Sequence, residues 1–437
     1  MSVGVQRLRD EPEVIRQGAL DKGEDATLVD AALALDARRR ELLGEADARK
    51  QERNAASKQV GEAIKGGAAP DGPEVASLRA VSVAAGERIA ALDAQIGRVE
   101  AELEDALLRI PNPADPDVPV GDASANLVVR TWGEPLPRAV PAAAPWERRP
   151  HWEVAERLGI FELERGAKIA GSGFPVYRGA GAGMQRALID FFLTVHTREN
   201  GFTEIWPPAV VNAASARGTG QIPDKEDQMY VVTRDELYLV PTAEVPVTNL
   251  HRDEIFEFGE LPVRYAAYTP CFRREAGAAG KDTRGILRVH QFDKVEMVLF
   301  EKPDASAEAL DWMVGRAEDL LRRLGLAYRV LLMATGDMGF VQAKKYDLEV
   351  WAPGVERWLE VSSCSNFRDY QARRMAIRHR PAPGARPELV HTLNGSGLAL
   401  ARVVAAILET YQEPDGSVRV PEPLRASLGT DVLRPTA

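Results

Sequence analysis

The stretch "FRREAGAAGKDTRGILRVHQFDKVE", Phe272 to Glu296, sets cations, carboxylates and a flat ring at strand spacing. It reads as a strand, a glycine-rich loop and a returning strand. Side chains alternate faces along a strand, so Arg273 and Glu275 share one face, and Phe292 and Glu296 share one face. Paired with those faces together, the two strands would present a guanidinium, a ring and two carboxylates on one floor. Alone, the same residues also suit an exposed hairpin with solvated charges.

Three further segments carry chemistry. "HTLNGSGLALARVVAAILETYQ" reads as a flexible turn, Asn394 to Gly397, followed by a helix that buries Leu400, Val403, Val404, Ile407, Leu408 and Tyr411 at one-face spacing. Arg402 stands off that face near the helix start, where backbone N–H groups favour an anion. Turn, helix N-terminus and arginine together resemble a phosphate site. "RWLEVSSCSNFRDYQARR" ends an alternating strand with Glu360, Val361, Ser362 and Ser363, and hard oxygen ligands of this kind suit magnesium beside phosphates. Glu360 and Ser363 have opposite strand parity, so joint ligation requires an irregular backbone there. "YLVPTAEVPVTNL" places Thr242, Ala243 and Glu244 where a strand meets a turn and helix, which also fits a simple helix cap. "RGAGAG" at Arg178 lacks the spacing of a phosphate loop and reads as a turn before a helix.

The elements that must position these groups differ along the chain. From Val75 the apolar or small residues Leu78, Ser82, Ala85, Ile89, Leu92, Ile96, Val99, Leu103, Ala106 and Ile110 follow in steps of three and four, a coiled-coil seam. A similar stripe begins at Leu28, Ala32, Leu35, Leu42 and Ala46, and "KGGAAPDGP" between the two turns the chain. The expectation is an antiparallel helical hairpin over 1–110, a Pro-rich extended connector over 111–150, and a catalytic domain over 151–437. In that last part short strands and helices alternate irregularly, which predicts an α+β domain with a mainly antiparallel sheet flanked by helices.

Composition narrows the class. The 437 residues carry a net charge of −10, so no global basic field advertises nucleic acid, although a local patch can still serve. Two cysteines and six histidines, without CxxC or HExxH, give no reason to expect zinc. No signal-peptide core and no apolar run of spanning length occur, which predicts a soluble cytoplasmic protein without a membrane partner.

The motifs in their order resemble seryl-tRNA synthetases of the common bacterial type, over essentially the whole length. "GFTEIWPP" is similar to motif 1 of class II synthetases, the 272–296 stretch to motif 2, and "GSGLALAR" to motif 3. The leading hairpin resembles the family's arm, which grips the long variable arm of serine tRNA. The resemblance implies a class II catalytic domain, a homodimer, and a ligase that joins L-serine to tRNA(Ser), and to tRNA(Sec) where a host has one. ATP would be a substrate and Mg²⁺ the ion.

The resemblance also implies roles. Arg273 would contact the α-phosphate and the serine carboxylate, Glu275 the adenine, and Phe292 would stack on that ring, with Val289 and Arg274 bordering the nucleotide. Thr242, Ala243, Glu244, Glu296, Asn394 and Ser396 would line the serine site. Glu360 and Ser363 would hold Mg²⁺ on the triphosphate, with Val361 and Ser362 beside them and Arg402 on the γ-phosphate. Arg273 and Arg402 would be the catalytic cations. Arg274 stands where the family more often has Ser, and its strand parity points it away from Arg273. A relative that loads a carrier protein would lack the long hairpin, and a non-catalytic paralogue would not keep all five of Arg273, Glu275, Glu296, Glu360 and Arg402.

Overall fold

A computed structural model describes residues 3–141, 145–277 and 284–435. Its contacts divide the chain into two units, Met1–Pro111 and Asn112–Ala437.

Among its described residues the first unit contains four helices: α1 (Val5–Asp10), α2 (Pro12–Asp21), α3 (Thr27–Lys65) and α4 (Pro73–Leu108). The long pair is antiparallel, since Arg39 meets Glu100, Glu45 meets Arg88 and Ser57 meets Ser82 across it. At 1.5 Å per residue α3 extends roughly 58 Å. Seam residues Leu42, Ala46, Leu92 and Ile96 pack into one cluster along the pair. At its base, Leu8 and Ile15 from the two short helices close a second cluster with Val29, Leu103 and Leu107. Asp36 is buried there, with Arg9 donating two hydrogen bonds to it at 2.7 and 2.8 Å. The pairing holds the Asp36 carboxyl below the usual range.

The second unit is built on an eight-stranded sheet among the described residues. Its strands are β1 (Leu127–Trp132), β2 (Thr203–Ile205), β3 (Val263–Phe272), β4 (Gln291–Glu301), β5 (Tyr328–Leu332), β6 (Lys344–Ala352), β7 (Arg357–Arg368) and β8 (His391–Ala399). Their spatial order is β1-β5-β6-β7-β8-β4-β3-β2, and every neighbouring pair is antiparallel except β3 with β2. The stretch read from sequence as a connector, 111–150, falls in this unit from Asn112 onward, and β1 forms an edge of its sheet. The strand itself holds no proline, since it lies between Pro119 and Pro135.

Three helices, α5 (Ala180–Arg198), α6 (Ser306–Arg323) and α7 (Leu400–Thr410), pack with the sheet around one core. Alternation sorts β4 between this core and what lies opposite. Val295, Met297 and Leu299 join the core, while Val298 and Phe300 join a separate cluster. Of the glycines of "RGAGAG", Gly179 caps α5 and Gly181 and Gly183 fall in its first turn. A Cβ on Gly181 would lie 2.0 Å from the Ile160 carbonyl oxygen, so this glycine serves close packing.

One expectation is overturned. Asn394 to Gly397 form no turn; they lie inside β8, buried between β4 and β7. Their small size answers tight packing instead. A Cβ on Gly395 would approach Cys364 Sγ to 2.6 Å, and one on Gly397 would approach His196 Nε2 to 2.3 Å. The helix starts at Leu400, and the five apolar residues from Leu400 to Leu408 are buried as their spacing indicates.

Candidate active site

A cavity of about 500 Å³ opens over β4, β6, β7 and β8. It has the size of a nucleotide-class pocket. Arg273, Glu275, Val289, Phe292, Glu296, Thr242, Glu244, Glu360, Val361, Ser362, Ser363, Asn394, Ser396 and Arg402 all line it. Two residues expected there do not. Ala243 is fully buried behind Thr242, and Arg274 turns out to donate to the Asp227 carbonyl oxygen at 2.9 Å.

The hairpin supplies the floor as its alternation requires. Cys271 stands opposite Phe292 and Ala267 opposite Glu296, so Phe292, Lys294 and Glu296 share a face. Arg273 follows Cys271 by two residues, and its guanidinium lies 5.2 Å from the Phe292 ring centre. β3 itself ends at Phe272. Glu275 therefore lies beyond the ladder, in a left-handed conformation at φ 51, and reaches the site through a 2.6 Å ion pair with Arg288. The tip of the loop, 278–283, falls outside the described residues.

A β-bulge resolves the parity conflict at Glu360 and Ser363. Glu349 faces Glu360 across β6 and β7, while Leu348 faces Ser362 and Asp347 faces Ser363. Val361 is the extra residue, so two positions of β7 oppose one on β6 and the alternation shifts by one. Glu360 and Ser363 come to the same face as Asp347, and Val361 and Cys364 both enter the core.

The serine-site candidates form a connected polar group. Glu296 is directly opposite Ser396 across β4 and β8. Lys294 contacts the Glu296 carboxylate and donates to the Thr242 hydroxyl at 2.7 Å. One buried Glu296 oxygen and the Asn394 side-chain nitrogen make no hydrogen bond; the Lys294 contact is an ion pair without hydrogen-bond geometry. These are the atoms that a small polar ligand could satisfy. Burial, with Glu296 nearby, pushes the Glu244 carboxyl up to about 7, against a 2.6 Å hydrogen bond from Gln371.

The opposite end is electrostatically distinct. Burial would raise the Glu360 carboxyl, but Lys345, Arg402, Arg273 and Lys294 outweigh it and hold the group below the usual carboxylate range. Lys345 lies 3.1 Å from Asp347, whose buried carboxyl is lifted to about 7 despite that ammonium. Arg402 donates to the backbone oxygens of Leu287 and Glu360 at 3.0 and 2.9 Å, which fixes its guanidinium at the cavity wall. Cations thus gather where an anionic ligand would lie, and a carboxylate beside them stays charged.

Lys294, Lys345, Arg288 and Gln371 were missed in the sequence reading. Lys294 was within reach, since it falls between Phe292 and Glu296 on the same alternation. The others depend on pairings between distant segments.

Two family models match the chain: the seryl-tRNA synthetase N-terminal domain over residues 4–114, and the class II tRNA synthetase core domain (G, H, P, S and T) over residues 230–411. The chain is 52% identical over 423 residues to a serine–tRNA ligase of Thermomicrobium roseum, covering 97% of this chain and 92% of that protein. It is 50% identical to the serine–tRNA ligase of Gemmatimonas aurantiaca, over 98% of this chain and 99% of that one. Its fold superimposes with a TM-score of 0.92 on a seryl-tRNA synthetase from Pyrococcus horikoshii complexed with ATP, at 36% identity and full coverage of both chains. With this identity sustained through both units, the chain belongs to the seryl-tRNA synthetase family.

Proposed function

We propose that this chain is a serine–tRNA ligase whose 500 Å³ cavity performs both chemical steps. The serine carboxylate attacks the α-phosphorus of ATP, the bond to the bridging oxygen breaks, and pyrophosphate leaves with seryl-adenylate formed. A terminal ribose hydroxyl of tRNA(Ser) then attacks the activated carbonyl, and AMP departs with the bond electrons. The hydroxyl proton can pass to a phosphate oxygen of the adenylate, so no side-chain nucleophile is required.

The observation that carries this reading is the division of one floor into two ends. Glu296 faces Ser396 at one end, and Arg402 beside Glu360 marks the other. Arg273, over Phe292 between them, stands where two anions must approach, and its charge offsets their repulsion. Glu296 and Glu244 suit the serine ammonium, with the Ser396 and Thr242 hydroxyls as neighbours. Phe292 offers its ring to the adenine, and Glu275, held by Arg288, borders it.

Mg²⁺ fits the donors at the far end. The bulge at Val361 puts the Glu360 carboxylate and the Ser363 hydroxyl on one face, both hard oxygens, and Glu360 is kept charged. Bound there, the ion would neutralise phosphate charge. The α3–α4 hairpin is proposed as the tRNA-gripping arm. The enzyme is proposed to work as a homodimer in the cytoplasm; among the described residues no helix is long and apolar enough to cross a membrane.

The test is pyrophosphate exchange into ATP with each amino acid in turn. Serine should support exchange well above alanine or threonine. Exchange led by another amino acid, or none with purified folded protein, would overturn the reading.

A further inference from the structure

A second constellation lies behind the ATP end, centred on two residues that do not line the 500 Å³ cavity. The Glu409 carboxylate and the His151 ring are both completely buried. Glu409 Oε1 accepts from the His151 ring Nδ1 at 2.8 Å and from the His151 backbone N–H at 2.9 Å. Its other oxygen accepts from the backbone N–H groups of Gly354 and Val355 at 2.8 and 3.1 Å. The far ring nitrogen, Nε2, faces the Ile286 N–H at 3.3 Å. A backbone N–H can only donate, so Nε2 is the acceptor and the proton sits on Nδ1. The ring thus connects a carboxylate on α7 to the backbone of the segment returning into β4.

That segment is also held by Arg402, whose Nε donates to the Leu287 carbonyl oxygen at 3.0 Å. Arg402 and Glu409 are seven residues apart, two turns on one face of α7. One helix therefore grips adjacent residues of the segment leading into β4 twice, directly at Leu287 and through His151 at Ile286. Gln412, just past the helix, fixes His151 in turn, exchanging hydrogen bonds with the Arg149 backbone at 2.7 and 2.9 Å. The fit leaves no slack, because a Cβ on Gly285 would lie 2.1 Å from His151 Nε2. Arg288 and Val289, which line the cavity, follow immediately.

We infer that His151 and Glu409 are positioning residues for the nucleotide half of the site: their buried relay sets the Ile286–Val289 backbone and, through Leu287, the guanidinium of Arg402. Neither lines the cavity. The inference rests on the ligase reading above.

The experiment compares the full-length enzyme with His151→Asn and His151→Gln in serine-dependent pyrophosphate exchange. Asn can still donate to Glu409 but leaves the Ile286 N–H without its acceptor. Gln carries its oxygen far enough to replace Nε2. His151→Asn should raise the KM for ATP about tenfold, the scale of one buried hydrogen bond lost, while the KM for serine stays within about twofold. His151→Gln should recover most of the loss. Unchanged kinetics in folded His151→Asn, or equal rises in both KM values, would overturn the inference, since a purely structural role moves neither selectively. An unsubstituted second arm covers a variant that does not fold. Without ATP the Ile286 amide, donated to the buried His151 ring, should already be the slow exchanger of the 284–290 segment, and fast exchange there would overturn the relay. Absence of exchange activity in the wild-type enzyme would instead overturn the ligase reading itself.

Discussion

Arg273 and Arg274 are adjacent in sequence and opposite in environment, which makes their substitution a direct probe of the floor. Arg273 has one long contact to backbone, Nε to the Pro241 oxygen at 3.4 Å, and otherwise lies over the Phe292 ring. Arg273→Ala should therefore leave the fold nearly intact and remove the charge that lets the serine carboxylate meet the α-phosphate. A preorganised donor of this kind is worth about 3 kcal/mol, so serine-dependent exchange should fall roughly a hundredfold or more in kcat/KM. Arg274 points its guanidinium at the Asp227 carbonyl oxygen, outside the cavity. Its removal forfeits one exposed hydrogen bond, about 1 kcal/mol of stability at most, and exchange should stay within about threefold of wild type. Pyrophosphate exchange with saturating and subsaturating ATP and serine, on variants checked for equal melting, separates the two. A larger loss in Arg274→Ala than in Arg273→Ala would refute the assignment of faces.

Other substitutions test the remaining parts. Glu296→Gln keeps volume but gives up the charge that pairs with the serine ammonium, so serine activation should drop sharply; unchanged serine kinetics would remove Glu296 from the site. Ser396→Ala should narrow the preference for serine over alanine by about 1 kcal/mol, one neutral hydrogen bond, read from exchange kinetics with both amino acids. Gly395→Ala would force a methyl to within 2.6 Å of Cys364 Sγ and 2.8 Å of Met313 Sδ. It should destabilise the second unit by about 1–3 kcal/mol, seen as a lower denaturation midpoint, and an unmoved midpoint would contradict the packing explanation. The Glu244 carboxyl is lifted to about 7 by burial and Glu296. Being raised, it is neutral below that pH and charged above it, so the KM for serine should fall as pH rises through about 7, and in Glu244→Gln this step should vanish. The same sign makes the ionised group a cost to folding that grows from the unfolded carboxylate range up to about 7.

Much of this site was legible because strand alternation is rigid. Spacing alone put Phe292 and Glu296 on one face and brought Arg273 to them only if the two strands paired with those faces together; the register of β3 with β4 and the Arg273 guanidinium 5.2 Å from the Phe292 ring centre meet that condition. The helical hairpin was legible for the same reason, as a seam repeated over many turns, whereas the short α1 and α2 carry too few turns to show a period. Alternation also flagged its own failure at Glu360 and Ser363. The sequence could say that a bulge was needed but could not say that Val361 would be the extra residue, since that depends on the partner strand. Asn394 to Gly397 misled because glycine and serine mark turns by propensity, while here glycine is required by atoms from Cys364, Met313 and His196, distant in sequence. Residues 111–150 read as a connector because of their prolines, which stand on either side of Leu127–Trp132 and leave that stretch free to form the edge strand β1. The His151–Glu409 relay joins segments more than 250 residues apart, and nothing local announces it.

Amino-acid activation and tRNA charging, measured side by side on one preparation, bear most directly on the division of labour between the two units. The comparison is the full chain against a chain in which 37–102 is replaced by a short linker, keeping the Arg9–Asp36 pair and the basal cluster. The full chain should support serine-dependent pyrophosphate exchange and charge tRNA(Ser), with charging that weakens as salt rises. The shortened chain should keep exchange nearly intact and lose charging steeply. Equal loss of both activities in a folded protein, or charging that survives without the arm, would contradict the reading of this molecule as an adenylate-forming site served by a tRNA-gripping hairpin.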